Sequence, residues 1–252
     1  MKLSIHPDYD TMSRAATQCF AQQILKKPDS NLCLATGKTP LGFYRNLVDM
    51  TQQGIISFSQ TRCFHLDEYL GLSLDDARGF FNTLDRVLFS KVDVQPDQLF
   101  RLSSARENNE QTCLNYEKML QRYEIDLLLL GIGINGHIAF NEPGSSWDSQ
   151  TRLVNLSEIT RNRAKAEFNP DPVPTQALTM GIKTILRAKK ILVLSSGSEK
   201  ADMIAESFYS PIDVQVPASI LQLHPNVDLI LDEQAASIIQ TKIEKNNVIK
   251  QL

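Results

Sequence analysis

The chain has 252 residues, 42% hydrophobic and 22% charged, with a formal net charge of −3. That length suits one large α/β domain, and the composition excludes a disordered or collagen-like chain. The mild negative charge gives no electrostatic reason to expect nucleic acid or an anionic membrane surface as a partner.

The opening decapeptide, MKLSIHPDYD, lacks the apolar stretch of a secretory leader. No apolar run approaches the roughly 20 residues that cross a bilayer, so a cytoplasmic location is expected. A helix follows over 10–26, with Met12, Ala16, Cys19, Phe20 and Ile24 on one face. Strand-like runs come at 31–36, 61–67, 124–131, 189–196 and 226–232. Helical patterns lie between them near 40–53, 80–90, 110–122, 176–187 and 199–208. Cys19, Cys33, Cys63 and Cys113 have no metal-type spacing and read as reduced, buried side chains. The alternation predicts a single domain over 1–252, a mainly parallel open sheet with helices on both faces in a modified Rossmann-like arrangement. One polar, proline-bearing segment, about 144–175, interrupts it and reads as a lid or as a plain surface excursion.

Ligands of open parallel sheets gather beyond the carboxyl ends of the strands, which directs attention to TGKTP, DEY, GIGINGH and SSGSEK. In ATGKTPLGFY, Thr39 can cap a helix whose first residue is Pro40, with the amides of Gly37, Lys38 and Thr39 converging on an anion. Thr36 adds a hydroxyl. An ordinary capped helix fits the same residues. Leu32 stands where a nucleotide P-loop needs glycine, so this is no Walker motif. Lys200 falls in the first turn of a later helix, where its charge opposes the helix dipole unless an anion is shared.

The glycines of GIGINGHIAFNEPG match a dinucleotide fingerprint in spacing only. They run into His137 and then Pro143-Gly144 instead of opening a helix. Glu158, about 20 residues on, sits in a polar stretch and not at a strand end. The alternative is a tight turn presenting His137 to a cleft, with Glu142 folding back to orient the imidazole. Asp67 and Glu68 close the run TRCFHLDEY on opposite sides of a strand, one free to face the cleft while the other anchors structure.

ATGKTP, FHLDEYLGL, GIGINGHIAFNEPG, ALTMGI, GSEKA and LQLHP occur in the order and spacing of the glucosamine-6-phosphate deaminases, also called isomerases, and the chain resembles that family over nearly its whole length. Galactosamine-6-phosphate deaminases share much of the pattern. The resemblance implies conversion of a 2-amino-hexose 6-phosphate and water to the ketose 6-phosphate and ammonia, with no metal and no cofactor. It implies that Asp67 moves the C2 proton and that His137 opens the ring, supported by Glu142 and Asn135. Thr36, Gly37, Lys38, Thr39 and Lys200 would hold the phosphate. Some members carry aspartate at position 135, and there the asparagine implies a weaker partner for the imidazole.

The family's lid arginine aligns with Ala166, leaving Arg163 or Lys165 to replace it. Of three residues that bind an N-acetylated effector in some members, Ser145 and Arg152 match but Val154 does not. The implied partner is an amino-sugar phosphate, and a homo-oligomer is an expectation from resemblance alone. Two other readings are carried forward: a 6-phosphogluconolactonase-type hydrolase and a non-enzymatic sugar-phosphate sensor.

Overall fold

The structure is a computed structural model that describes residues 1–102 and 108–249. In chain order its first elements are β1 (Lys2–His6), α1 (Tyr9–Lys26), β2 (Asn31–Leu34), α2 (Leu41–Gln52), β3 (Arg62–His65) and β4 (Asp67–Tyr69). Then come α3 (Phe80–Val87), β5 (Leu99–Phe100), α4 (Asn109–Arg122), β6 (Leu127–Leu130), β7 (Arg152–Asn155) and α5 (Glu158–Phe168). The last are β8 (Gln176–Thr179), α6 (Ile182–Ile185), β9 (Ile191–Ser195), α7 (Ala201–Tyr209), β10 (Val227–Asp232) and α8 (Glu233–Ile249).

Seven strands form one parallel sheet in the order β1-β10-β9-β6-β2-β3-β5. Its middle strands are buried along their length: β6 is four consecutive leucines, a run that only a sheet covered on both faces can use. Met12, Ala16, Phe20 and Ile24 of α1 are buried as their spacing predicts, while Cys19 is half-buried at the edge of that face. Phe20 meets Phe43 of α2 edge-on, with ring centroids 4.8 Å apart. The four cysteines are free, three of them buried.

A second sheet, β4-β8-β7, is antiparallel and corrects two sequence expectations. The run 61–67 is not one strand, because β3 ends at His65 and Asp67 opens β4 in the other sheet. The helix expected over 176–187 is β8 followed by the one-turn α6. Pairing with β4 and β7, both distant in sequence, overrides the local pattern there. The segment 144–175 supplies β7 and α5 and is bound by its own apolar cluster, in which Phe168, Leu156 and Val173 pack with Tyr69 and Phe140. Arg78 ties the same segment down by bridging Asp76 at 2.7 Å and Asp171 at 2.8 Å. Among the described residues no helix is long and apolar enough to cross a membrane.

Candidate active site

From β2 the chain moves outward through β3 to β5, then returns to place β6 on the other side of β2. This reversal is the switch point at which open sheets leave a crevice. Loops leaving the carboxyl ends of β2, β3, β6 and β9 line a cleft of about 760 Å³, and α5 of the segment 144–175 lines it too. Thr36, Gly37, Lys38, Thr39, Asp67, His137 and Lys200 all line it. Asn135 and Glu142 stand behind the imidazole, through the contacts given below.

The β2 loop reaches the start of α2 through Gly37, whose φ of 112° lies in the region open to glycine. The expected cap is not formed. Pro40 occupies the position before the helix, and no side chain caps it. Thr39 therefore keeps its hydroxyl for the cleft. The loop is held by Tyr9, whose hydroxyl donates to the Thr39 carbonyl at 3.0 Å and accepts from the Gly42 amide at 2.8 Å. Sequence reasoning missed Tyr9, since nothing local links it to a loop 30 residues away.

Lys200 closes a short 3₁₀ turn and is the residue immediately before α7, not within its first turn. Its Nζ donates to the Ile132 carbonyl at 2.7 Å, which aims the ammonium across the cleft. Burial, then the charge of Arg163, pushes its pKa down to about 8. Of the two lid candidates, Arg163 lines the cleft and Lys165 does not. Lys200 and Arg163 are thus two cationic side chains lining the same cleft as the loop after β2, a combination that favours an anion.

Asp67 and Glu68 divide as strand alternation requires. Glu68, fully buried, accepts from the amides of Tyr69 at 3.0 Å, Phe80 at 2.8 Å and Phe81 at 3.1 Å, and so caps α3 from a neighbouring strand. Asp67 is only 8% exposed, and its carboxyl has no hydrogen-bond partner among the described residues. Burial, with the Glu68 charge second, drives its pKa well above the ordinary carboxylate value. A carboxylate of raised basicity lining a cleft is suited to taking a proton.

The glycine run of β6 closes into a turn in which the Gly133 amide donates to the His137 carbonyl at 2.9 Å. No helix begins there, and Glu158 opens α5 instead of ending a strand, so both halves of the dinucleotide pattern are absent. His137 Nδ1 lies 3.5 Å from Glu142 Oε2 and 3.5 Å from Thr160 Oγ1. Asn135 does not touch the imidazole as expected. Its amide donates to Glu142 Oε2 at 2.8 Å, and its oxygen accepts from the His137 backbone at 3.4 Å. Thr160, at the start of α5, donates to Glu142 Oε1 at 2.6 Å.

Burial would raise the Glu142 carboxyl, but hydrogen bonds from His137, Thr160 and Asn135 outweigh it and hold it at about 2. An ionised Glu142 beside Nδ1 favours the tautomer with its proton there, which leaves Nε2 as the nitrogen with a free lone pair. The cap signature Ser157-x-x-Thr160 was the available signal for Thr160, since the Ser157 side chain accepts from its amide. Among the described residues no group of three or more His, Cys, Asp or Glu could hold a metal ion.

Residues 9–230 match the family described as glucosamine-6-phosphate isomerases/6-phosphogluconolactonase. The chain belongs to this family. A glucosamine-6-phosphate deaminase of Thermoanaerobacter pseudethanolicus is 41% identical over 241 residues, 95% of each chain. One from Alkaliphilus metalliredigens is 42% identical, covering 95% of this chain and all (100%) of its own. Among solved structures, a monomeric glucosamine-6-phosphate deaminase superposes with a TM-score of 0.91 at 41% identity, over 94% of this chain and 99% of that one. The 6-phosphogluconolactonase of Trypanosoma brucei has a TM-score of 0.78 at 21% identity, covering 94% and 97%, which establishes a shared fold. The family fold therefore serves both chemistries, and the cleft residues must discriminate between them.

Proposed function

We propose that the chain is a hexosamine-6-phosphate deaminase, releasing ammonia and a ketose 6-phosphate from glucosamine or galactosamine 6-phosphate and water. One observation carries the choice: the buried Asp67 carboxyl, without a hydrogen-bond partner among the described residues, lines the same cleft as His137, which is paired with Glu142. Hydrolysis of a lactone needs a histidine base and a phosphate seat but takes no proton from C2. The two high-identity deaminase relatives support the same reading.

In this mechanism the substrate phosphate sits against Thr36, Gly37, Lys38, Thr39 and Lys200, with Arg163 above it, which fixes C1 and C2. His137 takes the proton of the C1 hydroxyl and returns it to the ring oxygen as the C1–O5 bond breaks. Asp67 then removes the C2 proton, the C1 carbonyl oxygen is protonated, and a C1–C2 enolamine forms. Protonation at C1 leaves a C2 iminium ion. Water adds to it, and ammonia departs to give the ketose. The two groups given proton transfers here, His137 and Asp67, both line the cleft. The reading is tested by following ammonia release from both amino-sugar phosphates, with 6-phosphogluconolactone hydrolysis as control. Lactone hydrolysis without ammonia release from either sugar would overturn it.

Lys200→Ala is expected to raise KM at least tenfold, since a charge-assisted contact to the non-reacting phosphate is worth about 1.5–3 kcal/mol. Some loss of kcat follows if the phosphate also orients C1 and C2. An unchanged KM would remove Lys200 from the site.

Activation by an N-acetylated amino-sugar phosphate is expected to be weak. Arg152 is occupied by Asn141 at 2.8 Å and Ser145 at 3.3 Å, while Val154 packs against the apolar cluster of the lid segment. A missing cationic contact costs roughly ten- to a hundredfold in effector affinity, and coupling cannot exceed the effector's preference between two states. Initial rates should be hyperbolic and insensitive to N-acetylglucosamine 6-phosphate. Sigmoidal kinetics made hyperbolic by micromolar effector would contradict this.

A further inference from the structure

We infer that His65 is a positioning residue for Asp67, clamping its backbone carbonyl at the open edge of β4 and so fixing the direction of the carboxyl into the cleft. The inference rests on the reading of Asp67 as the base at C2. β4 is an edge strand of the antiparallel sheet, paired only with β8. Its contacts to that neighbour come from even-numbered residues: the Leu66 carbonyl accepts from Met180 at 2.8 Å, and the Leu70 amide donates to Gln176 at 3.0 Å. In an antiparallel pair, alternate residues turn both backbone groups the other way. The Asp67 carbonyl therefore points to the side where no strand follows.

His65 fills that side. Its Nδ1 lies 2.9 Å from the Asp67 carbonyl, and the Leu102 amide donates to its Nε2 at 2.8 Å. The tautomer follows from the partners alone. An amide can only donate, so Nε2 is the acceptor; a carbonyl can only accept, so the ring proton is on Nδ1. The imidazole is buried and neutral, with its edge against Phe81 at 5.7 Å between centroids. His65 is itself held, because the Tyr116 hydroxyl donates to its carbonyl at 2.8 Å and accepts from its amide at 3.2 Å. The interior of the sheet is thereby joined through one ring to the strand that carries Asp67. Among the described residues the carboxyl has no side-chain partner of its own, so its aim depends on the backbone.

Two substitutions separate the two ring nitrogens. His65→Asn keeps a donor at the Nδ1 position and loses the acceptor for Leu102, whereas His65→Gln reaches the Leu102 amide and abandons the Asp67 carbonyl. His65→Gln is expected to lower kcat tenfold or more with KM within about threefold, since misplacement near 1 Å can cost about 10²-fold. His65→Asn should keep kcat within about threefold of wild type while unfolding at a lower temperature, because a buried amide is orphaned. Losses of kcat that follow the loss of thermal stability in both variants would overturn the proposal in favour of a purely structural role.

Asp67→Asn, assayed alongside, distinguishes the two levels. Activity above about a tenth of wild type rejects Asp67 as base and the His65 role with it; an inactive Asp67→Asn with equal His65 variants rejects the clamp alone. Should neither His65 variant fold, nitrogen-15 NMR of the wild-type imidazole decides, and a proton on Nε2 would overturn the assignment.

Discussion

Asp67→Asn is expected to lower kcat by about 10²–10⁴-fold while leaving KM within a few-fold of wild type. The amide fills the same space but cannot accept the C2 proton, while Lys200 and the loop after β2, which line the same cleft, remain intact. The same substitution should stabilise the protein near neutral pH. Burial and Glu68 raise the Asp67 pKa, so the folded chain retains its proton above the point where the unfolded chain, near about 3.9, has released it. Across that window the native state binds more protons, and stability falls as pH rises through the folded pKa. Asparagine removes this loss. Melting temperatures of the two proteins should diverge as pH rises from about 4, with the variant higher. A variant melting below wild type at neutral pH would show that the carboxylate makes a net favourable contact.

Gly133→Ala is expected to disable the site as severely as loss of the histidine itself. A Cβ at position 133 would fall on the imidazole of His137, overlapping its Cε1, Nδ1 and Nε2 atoms. The backbone cannot yield easily, because the Gly133 amide is bonded to the His137 carbonyl in the same turn. The ring must leave its place beside Glu142, and displacement of a catalytic group by about 1 Å or more costs on the order of 10²-fold. Reaction from the closed ring should suffer most, while an open-chain analogue, which bypasses ring opening, should retain a larger fraction of its rate. His137→Gln should show the same asymmetry. Equal losses with both substrates would count against His137 as the ring-opening group.

This position also shows why the glycines of GIGINGH mislead when read by spacing. The residue needs no side chain because a histidine ring occupies the space, a reason that G-x-G-x-x-G does not encode.

The sequence by itself determined the parallel sheet, since uninterrupted runs such as Leu127–Leu130 have no stable place except between two covering layers. It also located the cleft-lining residues, because strand ends and glycine-bearing turns are local features. What it could not express were pairings between distant segments. β8 read as helix until β4 and β7 flanked it, and the second sheet is built from three pieces of chain far apart in sequence. The work of single side chains was decided in the same way. Asn135 serves Glu142 and not the imidazole, Thr160 and Arg163 reach the cleft from the segment 144–175, and Tyr9 and His65 bond the backbone of Thr39 and Asp67. Hydrophobic period and turn chemistry act between near neighbours and are written in order along the chain. Buried polar groups must find partners wherever the fold brings them, and only the tertiary structure settles which ones they meet.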